Sequence, residues 1–253
     1  MDRTNNGRRK FLQQASAAGA LTLGLSQIVS SAYGATKSPK ITLKENDVVL
    51  FQGDSITDAG RNREESAPNK PRGFGNGYML LAASKLLRNH AAKSLQVYNR
   101  GISGNKVYQL ADRWNTDCLE LKPTVLSILI GVNDFWHTLE GKYSGTIDTY
   151  RNDLTTLLQR TKESVPGVKL IIGEPFAVPG VKAVDERWFP QFYEYQKAAR
   201  EIAGKFGAVF IPYQSVFDKA AKVAPPSYWT SDGVHTTLAG SELMAEAWLA
   251  SVS

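Results

Sequence analysis

Five short runs of Val, Ile, Leu and Phe constrain this chain more than any other feature. They lie at Val48–Phe51, Leu95–Tyr98, Val125–Ile130, Leu170–Ile172 and Val209–Ile211. Each is brief and almost wholly apolar, the pattern of a strand buried on both faces, and longer segments of helical spacing separate them. Such alternation joins strands in parallel through helical crossovers, so the expectation is one α/β domain with helices on both faces of a sheet. Helical stripes are predicted over residues 147–162 (Ile147, Tyr150, Leu154, Leu157, Leu158), 192–206 (Phe192, Tyr195, Ala199, Ile202, Phe206) and 238–248 (Leu238, Leu243, Met244, Ala247, Trp248). Pro166-Gly167 closes the first and Gly204 sits near the end of the second. The segment from Asp58 to Gly77, rich in Gly, Pro, Asn and charge, reads as a surface loop beside the first strand.

Composition supports one substantial domain. Of 253 residues 42% are hydrophobic and 21% charged, which excludes a disordered or fibrous chain. The single cysteine, Cys118, cannot form an intramolecular disulfide, and no Cys/His cluster has zinc spacing, so neither metal nor cofactor is expected. The net charge of +6 is too small an excess to argue for nucleic-acid or membrane binding. Half of it sits at the N-terminus, where Arg8-Arg9-Lys10-Phe11-Leu12 precedes a weakly apolar stretch from Ala15 to Val29. This resembles a twin-arginine export signal, with cleavage after Ser30-Ser31-Ala32 or after Ala32-Tyr33-Gly34. Residues 1–34 are therefore expected to be an address for an exported, periplasmic or extracellular protein. No stretch of 18 or more apolar residues occurs elsewhere, and the N-terminal one is broken by Ser, Thr, Gly and Gln, so no spanning helix is expected.

Chemistry concentrates in four motifs. Gly53-Asp54-Ser55 follows the first strand run, at the sheet edge where ligands of parallel sheets bind. Alone it reads more readily as an ordinary turn. A serine hydroxyl needs a base, and Ser231-Asp232-Gly233-Val234-His235 offers one near the other end of the chain. Asp232 and His235 lie three positions apart, letting the carboxylate fix the imidazole while its second nitrogen faces Ser55. Of the two other histidines, His90 ends a helical pattern and His137 is the reserve base. Donors for an oxyanion are available after the second and third strands, in Gly101-Ile102-Ser103-Gly104 and Gly131-Val132-Asn133-Asp134.

The ordered set Gly53-Asp54-Ser55, Gly104, Gly131-Val132-Asn133-Asp134 and Asp232-Gly233-Val234-His235 resembles the SGNH hydrolases, also called GDSL esterases and lipases. The likeness spans residues 35–253 and implies a flavodoxin-like three-layer α/β/α sandwich with a five-stranded parallel sheet. It implies Ser55 as nucleophile, His235 as base, Asp232 as its orienting acid, and an oxyanion hole of the Ser55 N–H, Gly104 and Asn133, with Gly101 as the alternative glycine. Hydrolysis needs no metal on this reading. Short-chain, acetylated saccharides are the expected substrates, with Trp136, Phe176 and Trp229 as stacking residues and Trp188 and Phe189 as further aromatics near the mouth. A longer-chain lipase or thioesterase, an acyltransferase and a silent saccharide-binding module are the alternatives.

Overall fold

The protein is described by a computed structural model over residues 24, 27–33 and 40–253. Strands β1 (Val48–Gly53), β2 (Gln96–Asn99), β3 (Val125–Leu129), β4 (Lys169–Gly173) and β5 (Val209–Ile211) form one sheet in the order β2-β1-β3-β4-β5. Every neighbouring pair is parallel. The five apolar runs are these strands to within two residues at each end, because burial on both faces is what made them legible. Only Gln96, Tyr98, Val48 and Lys169 escape full burial, all on strand ends or the β2 edge.

Helices follow in the order α1 (Ser55–Asp58), α2 (Tyr78–Asn89), α3 (Val107–Asp112), α4 (Trp114–Asp117), α5 (Val132–Leu139), α6 (Ile147–Ser164), α7 (Phe192–Lys205), α8 (Tyr213–Ala220), α9 (Pro226–Trp229) and α10 (Leu238–Leu249). On one face α2 packs on α10 and α10 on α8; on the other α6 packs on α3 and α7. Phe51 of β1 meets the Trp248 ring at 4.7 Å, and the Trp248 indole N–H donates to Ser127 Oγ in the middle of β3 at 3.0 Å. A polar serine in a wholly buried strand is thereby satisfied. Across the sheet, Thr146 caps α6 by accepting from the Thr149 N–H, and Trp114 donates to Thr161 Oγ1 at 2.9 Å. The C-cap of α2 is His90, as its place in the pattern suggested.

Two expectations change. Leu238 does not join the core stripe of α10; it stands 75% exposed at the first turn, on the wall of the cavity that also holds Ser55 and His235. The segment from Asp58 to Gly77 is not merely surface. Asn69 pairs with β2: its N–H donates to the Val97 carbonyl, its side chain accepts from the Val97 N–H and donates to the Leu95 carbonyl. This covers an edge strand whose backbone groups would otherwise be open, and it carries Arg61 and Phe74 into the interior.

The arginine pair and most of the apolar N-terminal stretch lie outside the described residues. Residues 27–33 are described and helical, with Ile28, Val29 and Ala32 buried in the common core. The Tyr33 hydroxyl donates to the Ala247 carbonyl at 2.6 Å and Lys219 Nζ to Ser31 Oγ at 2.9 Å. Among the described residues no helix is long and apolar enough to cross a membrane.

Candidate active site

The chain runs from β1 to β2 on one side of the sheet and crosses back over β1 to β3, so the connections diverge between β1 and β3. Ligands of open α/β sheets bind beyond the carboxyl ends of strands at such a point. Gly53 pairs with Leu129, which brings Gly53-Asp54-Ser55 and Gly131-Val132-Asn133 side by side. The turn after β1 depends on Gly53, since a Cβ there would collide with the Leu129 carbonyl and lie 2.5 Å from Thr57 Oγ1. Asp54 then caps α1, its Oδ1 accepting the Ile56 N–H at 3.0 Å, and Ser55 opens the helix.

From the far end of the sequence, the loop before α10 places His235 Nε2 2.8 Å from Ser55 Oγ. Asp232 Oδ2 accepts from His235 Nδ1 at 2.6 Å, while Oδ1 accepts the backbone N–H groups of Val234 at 2.9 Å and His235 at 2.7 Å. This loop is closed by the Ser231 N–H donating to the His235 carbonyl and buttressed by residues 177–184, where Val178 N donates to the Gly233 carbonyl and Ala183 N to that of Asp232. Gly233 sits at φ +98°, and a Cβ on it would stand 2.5 Å from Val184 Cγ2, so no side chain fits there.

Electrostatics follow from those bonds. Partial burial works against an ionised Asp232, but the His235 side-chain bond and two backbone donors outweigh it and hold the carboxyl at about 2. The same bond, against the opposing effect of burial, raises His235 above its ordinary 6.5, with the charges of Asp232 and Asp54 adding to it. Beneath the site, burial lifts Asp54 and Asp134 to about 7 against single backbone bonds from Ile56 and Val107. Burial likewise pushes the Cys118 thiol up to about 12, leaving it inert.

Donors stand ready for negative charge. Among the described residues no protein acceptor takes the N–H of Ser55 or of Gly104, and a Cβ on Gly104 would meet open space. The Asn133 amide donates one hydrogen to the Asn105 carbonyl at 3.2 Å and keeps the other free. Gly101 is excluded from this set: its N–H donates to Asn99 Oδ1 at 2.9 Å and it packs on Thr57 and Asp58. His137 is excluded as base because its Nδ1 faces Lys106 Nζ at 3.1 Å.

The aromatic expectations divide. Trp136 is half-buried with its ring 6.4 Å from that of His235. Phe176 and Trp229 are corrected: Phe176 is buried and stacked on Phe217 at 4.4 Å, and the buried Trp229 spends its N–H on the Ala220 and Ala224 carbonyls. Neither has a free face. Trp188 is also core, against Phe135 and Phe192. Sequence reasoning missed the residues that line the cavity beside Ser55 and His235. It measures about 240 Å³ and is walled by Asn76, Gly77, Thr237 and Leu238 among others. Leu238 carried a misleading signal, its helical register, and Asn76 carried none.

A hydroxyl bonded to an oriented imidazole, beside a set of free N–H donors at the switch point of a parallel sheet, is the equipment of a carboxylic ester hydrolase. The chain belongs to the GDSL-like lipase/acylhydrolase family, whose sequence profile matches residues 51–243. It is similar to an acetylxylan esterase of Geobacillus stearothermophilus, 32% identical over 205 residues that cover 79% of this chain and 91% of that protein. A Parabacteroides merdae protein assigned to the GDSL-like lipases superposes with a TM-score of 0.83 at 51% identity, covering 84% of this chain and 98% of that one. A mutant of an acetyl-xylooligosaccharide esterase from G. stearothermophilus superposes with a TM-score of 0.74 at 30% identity, over 83% and 95% of the two chains. Catalytic mutants of that enzyme have been crystallised with changes at a serine, an aspartate and a histidine, the last two three positions apart.

Proposed function

We propose that this protein removes short acyl groups, acetyl foremost, from carbohydrate by nucleophilic catalysis. The observation that carries this is the continuous hydrogen-bond chain from Asp232 through His235 to Ser55. His235 Nε2 takes the hydroxyl proton as Ser55 Oγ attacks the ester carbonyl carbon, and it returns that proton to the departing alcohol oxygen. The acyl group is left on Ser55 Oγ. Water then attacks the acyl carbon with His235 again as base, the bond to Oγ breaks, and the proton returns to the serine. In both steps the carbonyl oxygen becomes an oxyanion held by the Ser55 and Gly104 N–H groups and the Asn133 amide.

Size and surroundings support a small ester. At about 240 Å³ the cavity falls below the roughly 300–1,000 Å³ usual for drug-sized ligands, and Trp136 offers an aromatic surface beside His235. The similar acetylxylan esterase has an aspartate and a histidine at the spacing of Asp232 and His235 among the positions of its catalytic mutants. Hydrolysis of p-nitrophenyl acetate should exceed that of longer acyl esters, acetylated xylo-oligosaccharides should release acetate, and Ser55→Ala should abolish both while the fold survives. Full activity in Ser55→Ala refutes the mechanism. Export through the twin-arginine route belongs to the same reading, and Arg8→Lys with Arg9→Lys should leave the protein inside the cell.

A further inference from the structure

The two outer donors of the oxyanion hole belong to separate elements. Gly104 sits in the irregular loop after β2, and Asn133 in the first turn of α5. Their convergence depends on whatever ties that loop to that helix. Three bonds do so: Asn133 Nδ2 to the Asn105 carbonyl at 3.2 Å, the Val107 N–H to Asp134 Oδ1 at 3.2 Å, and Lys106 Nζ to His137 Nδ1 at 3.1 Å. The first two engage only the first turn of α5. Lys106 reaches the next turn, four residues beyond Asn133, and so fixes the direction of the helix as well as its start.

Lys106 is an unusual residue for this place. Its side chain is buried, it makes no ion pair among the described residues, and its ammonium lies 5.2 Å from the Tyr143 ring centroid and 5.7 Å from that of Tyr108. Those two rings stack on each other at 5.7 Å. The ammonium sits beside this stacked pair, within cation–π reach of both rings, and its one directed bond to a side chain goes to α5. We propose that Lys106, acting through His137, is a positioning residue that sets Asn133 against Gly104 in the oxyanion hole. This rests on the reading of Ser55, Gly104 and Asn133 given above. The Lys106 N–H donates to Nδ1 of a neutral His137 ring, and burial lowers the pKa of both groups.

A packing role alone would cost stability and leave the chemical step intact, whereas misplacing a donor reduces kcat. Lys106→Met keeps the stem and removes the charge. With p-nitrophenyl acetate, kcat should fall about 10-fold or more with KM changed less than about 2-fold, and Lys106→Arg should restore most of the loss. Combined with Asn133→Ala, the loss should be smaller than the product of the two single losses by about 3-fold or more, since one donor to be positioned is gone. An unchanged kcat, or losses that multiply fully, overturns the proposal. Should Lys106→Met fail to fold, His137→Phe removes the acceptor while keeping an aromatic ring; there too kcat must fall, and a parental value overturns the idea. Failure of the parent reading is distinguishable, because it shows as activity in Ser55→Ala.

Discussion

Replacing Asp232 with asparagine keeps the shape of the side chain and changes one oxygen into a donor. Asp232 Oδ1 accepts two backbone N–H groups, at 2.9 and 2.7 Å, and Oδ2 accepts from His235 Nδ1 at 2.6 Å. An amide can satisfy only one side. With its oxygen toward the backbone, its NH₂ faces Nδ1, which must then accept; the ring proton moves to Nε2 and points at Ser55, and the base is lost. The opposite orientation preserves the tautomer but sets the NH₂ against two backbone donors, each left unsatisfied at about 1–3 kcal/mol. The competent form is therefore disfavoured by about 2–6 kcal/mol, or roughly 30-fold to 10⁴-fold in kcat. The assay is kcat for p-nitrophenyl acetate near pH 8 on protein whose thermal melt is cooperative. The same variant removes a pH-dependent stability contribution. A carboxyl held at about 2, below its unfolded value, stabilises the fold above about pH 4, and the contribution is lost as pH falls through 2. Its size is on the order of 1–2 kcal/mol after solvent screening at this half-open site. A kcat within about threefold of the parent would refute the tautomer argument.

The remaining expectations are simpler. Because its bond to Asp232 raises His235, kcat/KM should fall as pH drops through a value above the ordinary 6.5, and Asp232→Asn should move that limb downward; a limb at or below 6.5 in the parent contradicts the geometry. The stabilising effect of that bond runs oppositely, complete below the unfolded pKa and lost as pH rises through the raised native one. Phe176→Ala and Trp229→Ala should each cost about 3–5 kcal/mol in denaturant unfolding, with KM for acetylated oligosaccharides unchanged. Trp136→Ala should raise that KM with little loss of stability, and the reverse pattern would return Trp136 to the core. A chain beginning at residue 35 should melt within a few degrees of one beginning at residue 27. Burying Ile28, Val29, Ala32 and part of Tyr33 returns about 6–8 kcal/mol, against about 7–14 for ordering seven backbone residues. A fall of more than about 10 °C would show that residues 27–33 are part of the folding unit and that removal at 34 is not tolerated.

Strands, major helices and the Ser55, Asp232 and His235 set were legible in the sequence. Each is written in local terms: strands by unbroken apolar runs, α6 and α7 by stripes of period 3.6, the site by short motifs at strand ends. What could not be read locally is what depends on neighbours distant in the chain. Phe176, Trp136 and Trp229 look alike as aromatics near a predicted mouth, yet only the fold decides which keeps an open face. Gly101 and Gly104 differ in use because Asn99 consumes the N–H of one. Leu238 fits a helical stripe and still faces solvent, since the first turn of α10 borders the cavity at Ser55 and His235 rather than the core. The loop around Asn69 read as polar surface because the edge of β2, which it covers, lies 28 residues further on.

The sequence by itself determined the class of fold, the order of its elements and the residues able to do ester chemistry, because periodicity and residue type act over a few positions. Tertiary structure alone decided that Ser55 and His235, 180 residues apart, stand 2.8 Å from each other. It also decided which donors remain free and how Lys106 joins the loop after β2 to α5. Those are properties of convergence between elements, and convergence is fixed by packing around the sheet, where the identity of a contact depends on every layer beneath it.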